Sequence, residues 1–119
     1  MKKLLLKLLE VNTSTYTTSS LSHVASASVT VVRVGKLGYV YYSAKNTGSA
    51  LAVGSEASFV CGGMPDLDST FSGFRGSGWS GSSFLPVYVN QEKKFTLRVI
   101  GAQWVANYDV GGSLWVMFK

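Results

Sequence analysis

Two β-rich runs joined by a Gly-Lys pair constrain this chain more than any other feature. Ser28-Val29-Thr30-Val31-Val32-Arg33-Val34 and Leu37-Gly38-Tyr39-Val40-Tyr41-Tyr42-Ser43-Ala44 are dominated by β-branched and aromatic residues. Such side chains fit a pleated surface. Gly35-Lys36 between them suits a two-residue hairpin turn with glycine first. Alternation puts Val29 and Val31 on one face, and Tyr39 and Tyr41 together on one face of the returning strand.

The same signals recur downstream. Glu56 to Cys61 reads as a strand, and so does Phe84-Leu85-Pro86-Val87-Tyr88-Val89, followed by a turn at Asn90-Gln91-Glu92. From Lys93 to Ile100 the pattern alternates, with Phe95, Leu97 and Val99 facing one way and Lys94, Thr96 and Arg98 the other. Ala102 to Tyr108 suits a short strand or bridge, and Asp109-Val110-Gly111-Gly112 a turn. The closing run Ser113 to Phe118 is apolar on both faces, which predicts burial on both sides, in the core or against another subunit. Gly62 to Ser83 is rich in glycine and serine and reads as a long irregular segment, of a length that tends to be functional or disordered. Short strands at turn-rich spacing predict an all-β fold, a small antiparallel, jelly-roll-like β-sandwich over residues 28–119.

The start of the chain differs in character. Met1-Lys2-Lys3 before Leu4-Leu5-Leu6 opens like a signal peptide, but Lys7 and Glu10 interrupt the apolar run. The run also falls far short of the roughly 20 apolar residues that span a bilayer. The spacing predicts a short amphipathic helix over residues 1–11, with Leu4, Leu5, Leu8 and Leu9 on one face. A helix this short needs its leucines docked on the domain or on partner helices. Residues 12–27 read as a Ser/Thr-rich linker or a first edge strand.

Charge excludes some functions. The net charge is +5, yet only 14% of the 119 residues are charged, against roughly 25% in an ordinary domain. Outside Lys2, Lys3 and Lys7 the positive residues are scattered, with Lys93-Lys94 the single adjacent pair. Nucleic-acid binders concentrate such residues on one stripe, so no nucleic-acid partner is expected. Cys61 is the single cysteine, which rules out an intrachain disulfide and suits assembly in a reducing cytoplasm. With no basic residue or histidine beside it, it reads as a buried structural thiol.

The Val-rich strand ending in Arg33-Val34-Gly35-Lys36, continued by Leu37-Gly38-Tyr39-Val40-Tyr41, resembles the opening hairpin of C-terminal head domains in bacteriophage tail fibres and receptor-binding proteins. The resemblance covers roughly residues 28–119. It implies a homotrimer in the virion, assembled in the host cytoplasm, with an N-terminal helix or stalk contacting other virion proteins. It also implies adsorption to a host cell-surface saccharide or protein, without catalysis. Residues 1–11 are far shorter than the family's usual shaft. A structural virion protein, such as a capsid or baseplate decoration, is the alternative function, and a small glycan-degrading enzyme a second one.

Saccharide recognition needs flat aromatic faces with carboxylates, amides or Arg at the hydroxyls. Asp66, Asp68, Phe71, Phe74, Arg75 and Trp79 supply that mix in the irregular segment. The plain alternative is that the aromatics pin this loop to the domain. Trp104, Asn107, Tyr108 and Asp109 form a second candidate group near a turn. Trp115 and Phe118, with the four N-terminal leucines, are candidates for an oligomer interface or, for Trp115, the core. Catalytic signatures fail one by one. Gly78-Trp79-Ser80-Gly81 misses the G-x-S-x-G spacing by one residue. His23 is the sole histidine, Asp66 and Asp68 lack the further acids of a calcium loop, and no cofactor is expected.

Overall fold

The computed structural model describes residues 11–119, so the N-terminal helix expected over residues 1–11, with its four leucines, lies outside the described residues apart from Val11. Ten strands follow in order: β1 (Asn12–Thr17), β2 (Ser19–Ser22), β3 (Val24–Val34), β4 (Leu37–Asn46), β5 (Glu56–Val60), β6 (Gly73–Ser80), β7 (Ser83–Phe84), β8 (Val87–Asn90), β9 (Lys94–Arg98) and β10 (Asp109–Met117). The fold is all-β and antiparallel, as the patterning predicts. In place of two separately bonded sheets, the strands form one hydrogen-bonded path, β1-β3-β4-β10-β6-β8-β9-β5-β2, with β7 alongside β6. This sheet curls nearly into a barrel. β1 and β2 are consecutive in the chain, yet β1 pairs with β3 while β2 pairs with β5. The Ser/Thr-rich segment is thus the strand that spans the seam.

The β3–β4 hairpin turns where expected, with Val34 opposite Leu37 and Gly35 at φ +59°. A positive φ is cheap only for glycine, so the Gly-Lys order sets the register of the whole hairpin. On β9 the alternation also holds: Phe95 and Leu97 are buried while Lys94 and Arg98 are exposed. The core gathers Val29, Val31, Val40, Tyr42, Phe59, Phe95, Leu97, Leu114 and Val116. Phe59 and Phe95 stack at 4.9 Å, and Tyr42 meets both rings from across the interior at 5.9 and 6.0 Å.

Three expectations are corrected. The glycine-rich segment is not irregular throughout, because Gly73–Ser80 forms β6 in the middle of the sheet, between β10 and β8. Asp109-Val110-Gly111-Gly112 is not a turn but the start of β10, paired with Lys45 to Tyr42 of β4. The physical reason is shared: Gly78 and Gly112 make room for the buried Tyr42 side chain, whose hydroxyl sits where a Cβ on either residue would fall. The last strand is likewise not buried on both faces. Leu114, Val116 and Phe118 enter the core, but Trp115 stands outward at 59% exposure. Phe118 is fully buried within its own chain, beneath the Arg33 guanidinium at 4.7 Å, which leaves it no surface for a partner.

Cys61 is fully buried. Burial pushes its thiol pKa up, partly opposed by a hydrogen bond from the Met64 amide and by the Lys93 charge. A thiol kept protonated and shielded is inert. In native buffer a thiol-specific reagent should leave it unlabelled for hours, with full labelling only in denaturant.

Candidate functional site

The sheet alternates cleanly, so its outer face can be read strand by strand. Arg75, Ser77 and Trp79 point outward from β6, while Gly78 and Ser80 are buried. Register places Arg75 opposite Tyr88 of β8, Tyr88 opposite Thr96 of β9, and Thr96 opposite Ser58 of β5. One step along, Arg98 lies opposite Glu56. Glu56, Arg75, Tyr88, Thr96 and Arg98, with Pro86 and Val87, line a groove of about 310 Å³. The Arg75 guanidinium lies over the Tyr88 ring at 4.8 Å, a cation–π contact that holds a long side chain in one place. The Tyr88 hydroxyl donates to the Ser72 carbonyl at 3.1 Å, fixing the ring in turn.

The groove therefore offers an aromatic ring, two guanidiniums, one carboxylate and two hydroxyls on rigid strands. Guanidiniums fork to paired oxygens, and a carboxylate accepts from hydroxyls. Such a set can hold a polyhydroxylated ligand.

Of the residues singled out in the sequence, Arg75 alone is in this groove. Trp79 lies farther along β6, 60% exposed and 4.6 Å from Phe84. Phe71 and Phe74 pack on each other at 5.3 Å, with Phe74 also against the core and Phe71 exposed. Asp66 and Asp68 serve the same loop. Asp66 pairs with Lys93 at 2.9 Å, and Asp68 accepts from the Thr70 amide at 2.8 Å. Gln91 Nε2 donates to the Asp68 and Phe71 carbonyls, at 3.0 and 2.6 Å. No three metal-ligating side chains come together among the described residues.

The second group disperses. Trp104 is fully buried in the core, where it can touch no ligand. Asn107 occupies a positive-φ turn at +64°, Tyr108 is exposed, and Asp109 lies opposite Lys45 at the rim. Sequence reasoning missed Tyr88, Thr96, Arg98 and Glu56, although the outward position of Thr96 and Arg98 was readable from alternation. What could not be read was which strands would lie side by side.

A second outward feature lies on β3, β4 and β10. Val32, Tyr39 and Trp115 fall in one cross-strand row, and Thr30, Tyr41 and Ser113 in the next. Tyr39 meets Trp115 at 4.8 Å and Tyr41 at 6.3 Å. These two rows carry no charge.

Lys93 holds the Asp66 carboxyl below its ordinary range, first by hydrogen bonding and then by its charge. A lowered folded-state pKa contributes stability above the ordinary carboxylate range, lost as pH falls through the folded value. In Lys93→Met the Asp66 carboxyl should titrate at a higher pH than in the parent chain, read from its carboxyl carbon by NMR.

No protein-family model matches the sequence, and no curated protein matches it either.

Proposed function

We propose that the chain is a non-catalytic binding module of a virion fibre, a head domain that adsorbs to a host cell-surface saccharide. The observation that carries this reading is the Arg75–Tyr88 pair set in a groove with Arg98 and Glu56. Preorganised aromatic and guanidinium groups lose little entropy on binding. In the same proposal the barrel is flattened in the manner of a jelly-roll-like head, with β4 facing β5 and β9 across the Tyr42, Phe59 and Phe95 rings. The uncharged outer face with Tyr39, Tyr41 and Trp115 seats neighbouring copies in a trimer. That face also favours a second reading, a structural virion protein that packs without adhesion.

The test is binding of purified chain to a panel of bacterial cell-wall polysaccharides. Arg75→Ala and Tyr88→Ala should each weaken binding about tenfold or more at unchanged melting temperature. Unchanged affinity in both variants would remove the groove from the account. Binding to none of the panel, with a trimeric mass by light scattering, would favour the structural reading.

A further inference from the structure

A cavity opens at the edge of the nearly closed barrel. β1 ends the sheet path. Its exposed residues Asn12 and Ser14 lie opposite Arg33 and Val31 of β3. With Tyr16, Gly35 and Pro65, these residues line a cavity of about 400 Å³, within the range of small-molecule sites. Arg33 is held rigidly there: its Nε donates to the Gly35 carbonyl and its guanidinium plane covers the Phe118 ring. Only Nε is so used. The terminal nitrogens of Arg33 meet no carboxylate among the described residues, and no acidic side chain lines the cavity. The side chains of Asn12, Ser14 and Tyr16 also make no hydrogen bond to the described residues.

A fixed guanidinium with its outer fork unengaged, beside one amide and two hydroxyls and against a proline, describes a particular ligand. The fork matches a planar carboxylate, and the amide and hydroxyls match ring hydroxyls. We propose that this cavity binds the carboxylate of a uronic-acid sugar. The proposal stands apart from the outer groove, since none of its residues is shared with that groove.

The test titrates the full chain with glucuronate, with glucose and with inorganic phosphate, followed by NMR. Glucuronate should perturb the Asn12, Ser14 and Arg33 signals saturably, at least about tenfold more tightly than glucose. Arg33→Gln should abolish this. Because Arg33 also packs on Phe118, Ser14→Phe serves as the second variant: it fills the cavity from an edge strand and should block binding with the fold intact. Arg75→Ala should leave glucuronate binding here unchanged, which separates failure of this site from failure of the groove. Equal binding of glucose, binding of phosphate alone, or glucuronate binding untouched by Ser14→Phe would overturn the proposal.

Discussion

Gly112→Ala is expected to destabilise the chain by about 3 kcal/mol, the upper part of the usual cost of overpacking. A Cβ at this position would meet the Ser77 carbonyl oxygen at 2.6 Å and the Tyr42 ring at the same distance. The first neighbour is backbone of β6 and cannot step aside without breaking its pairing with β10. Gly78→Ala offers a sharper comparison, because there the nearest obstacle is the Tyr42 hydroxyl alone, with Leu85 and Val110 farther off at 3.1 and 3.2 Å. That hydroxyl is buried with no hydrogen-bond partner among the described residues, and burial pushes its pKa far above the ordinary phenol value. Tyr42→Phe should therefore cost little or even stabilise, since a buried polar group without a hydrogen bond carries a desolvation penalty. Combined with Gly78→Ala it should recover about 1 kcal/mol or more relative to the sum of the single changes. Chemical denaturation of the four proteins measures the cycle. Strict additivity would mean that Tyr42 does not lie across β6 and β10.

Trp104→Ala should be the most damaging single truncation, at about 3–5 kcal/mol, out of a total of roughly 5–15 kcal/mol for a domain of this kind. Trp104 is fully buried, and its backbone exchanges two hydrogen bonds with Leu51, at 2.9 and 3.0 Å. Buried Asn46 ties the same segment down. Its Nδ2 donates to the Trp104 and Val105 carbonyls at 3.0 and 3.1 Å, while its Oδ1 accepts from the Thr47 amide and lies 3.0 Å from His23 Nδ1. Asn46→Ala should cost about 2–3 kcal/mol, because buried groups lose their partners together. Trp104→Phe keeps most of the apolar bulk and should cost far less than Trp104→Ala. A Trp104→Ala protein that melted normally but lost ligand would return this residue to the surface role its sequence context suggests.

These two cases also explain what was legible beforehand. The β3–β4 hairpin and the alternation of β9 are local: a glycine able to take positive φ, and a period of two, are both written into adjacent residues. The identity of β6 as a strand is not local. Gly78 looks like a loop residue until Tyr42, some thirty-five residues earlier, is seen to need the space, and Gly76 until Ser113 and Leu114 of β10 are seen to lie against it. Trp104 next to Asn107 and Tyr108 looks like a surface cluster for the same reason, since only the bridge to Leu51 draws it inward. The groove was visible in the sequence at one residue. Arg75 drew attention as a cation among small residues, but Tyr88, Arg98 and Glu56 reach it through the pairing of β6, β8, β9 and β5.

The proposed function requires this paired outer face to bind saccharide without transforming it. Amide and side-chain chemical shifts of the labelled chain, followed during titration with a bacterial cell-wall polysaccharide that it retains, test this most directly. Saturable shifts centred on Arg75, Tyr88, Thr96 and Arg98 are expected, with the polysaccharide recovered intact. Shifts centred elsewhere on the barrel, or the appearance of shortened saccharide, would contradict it.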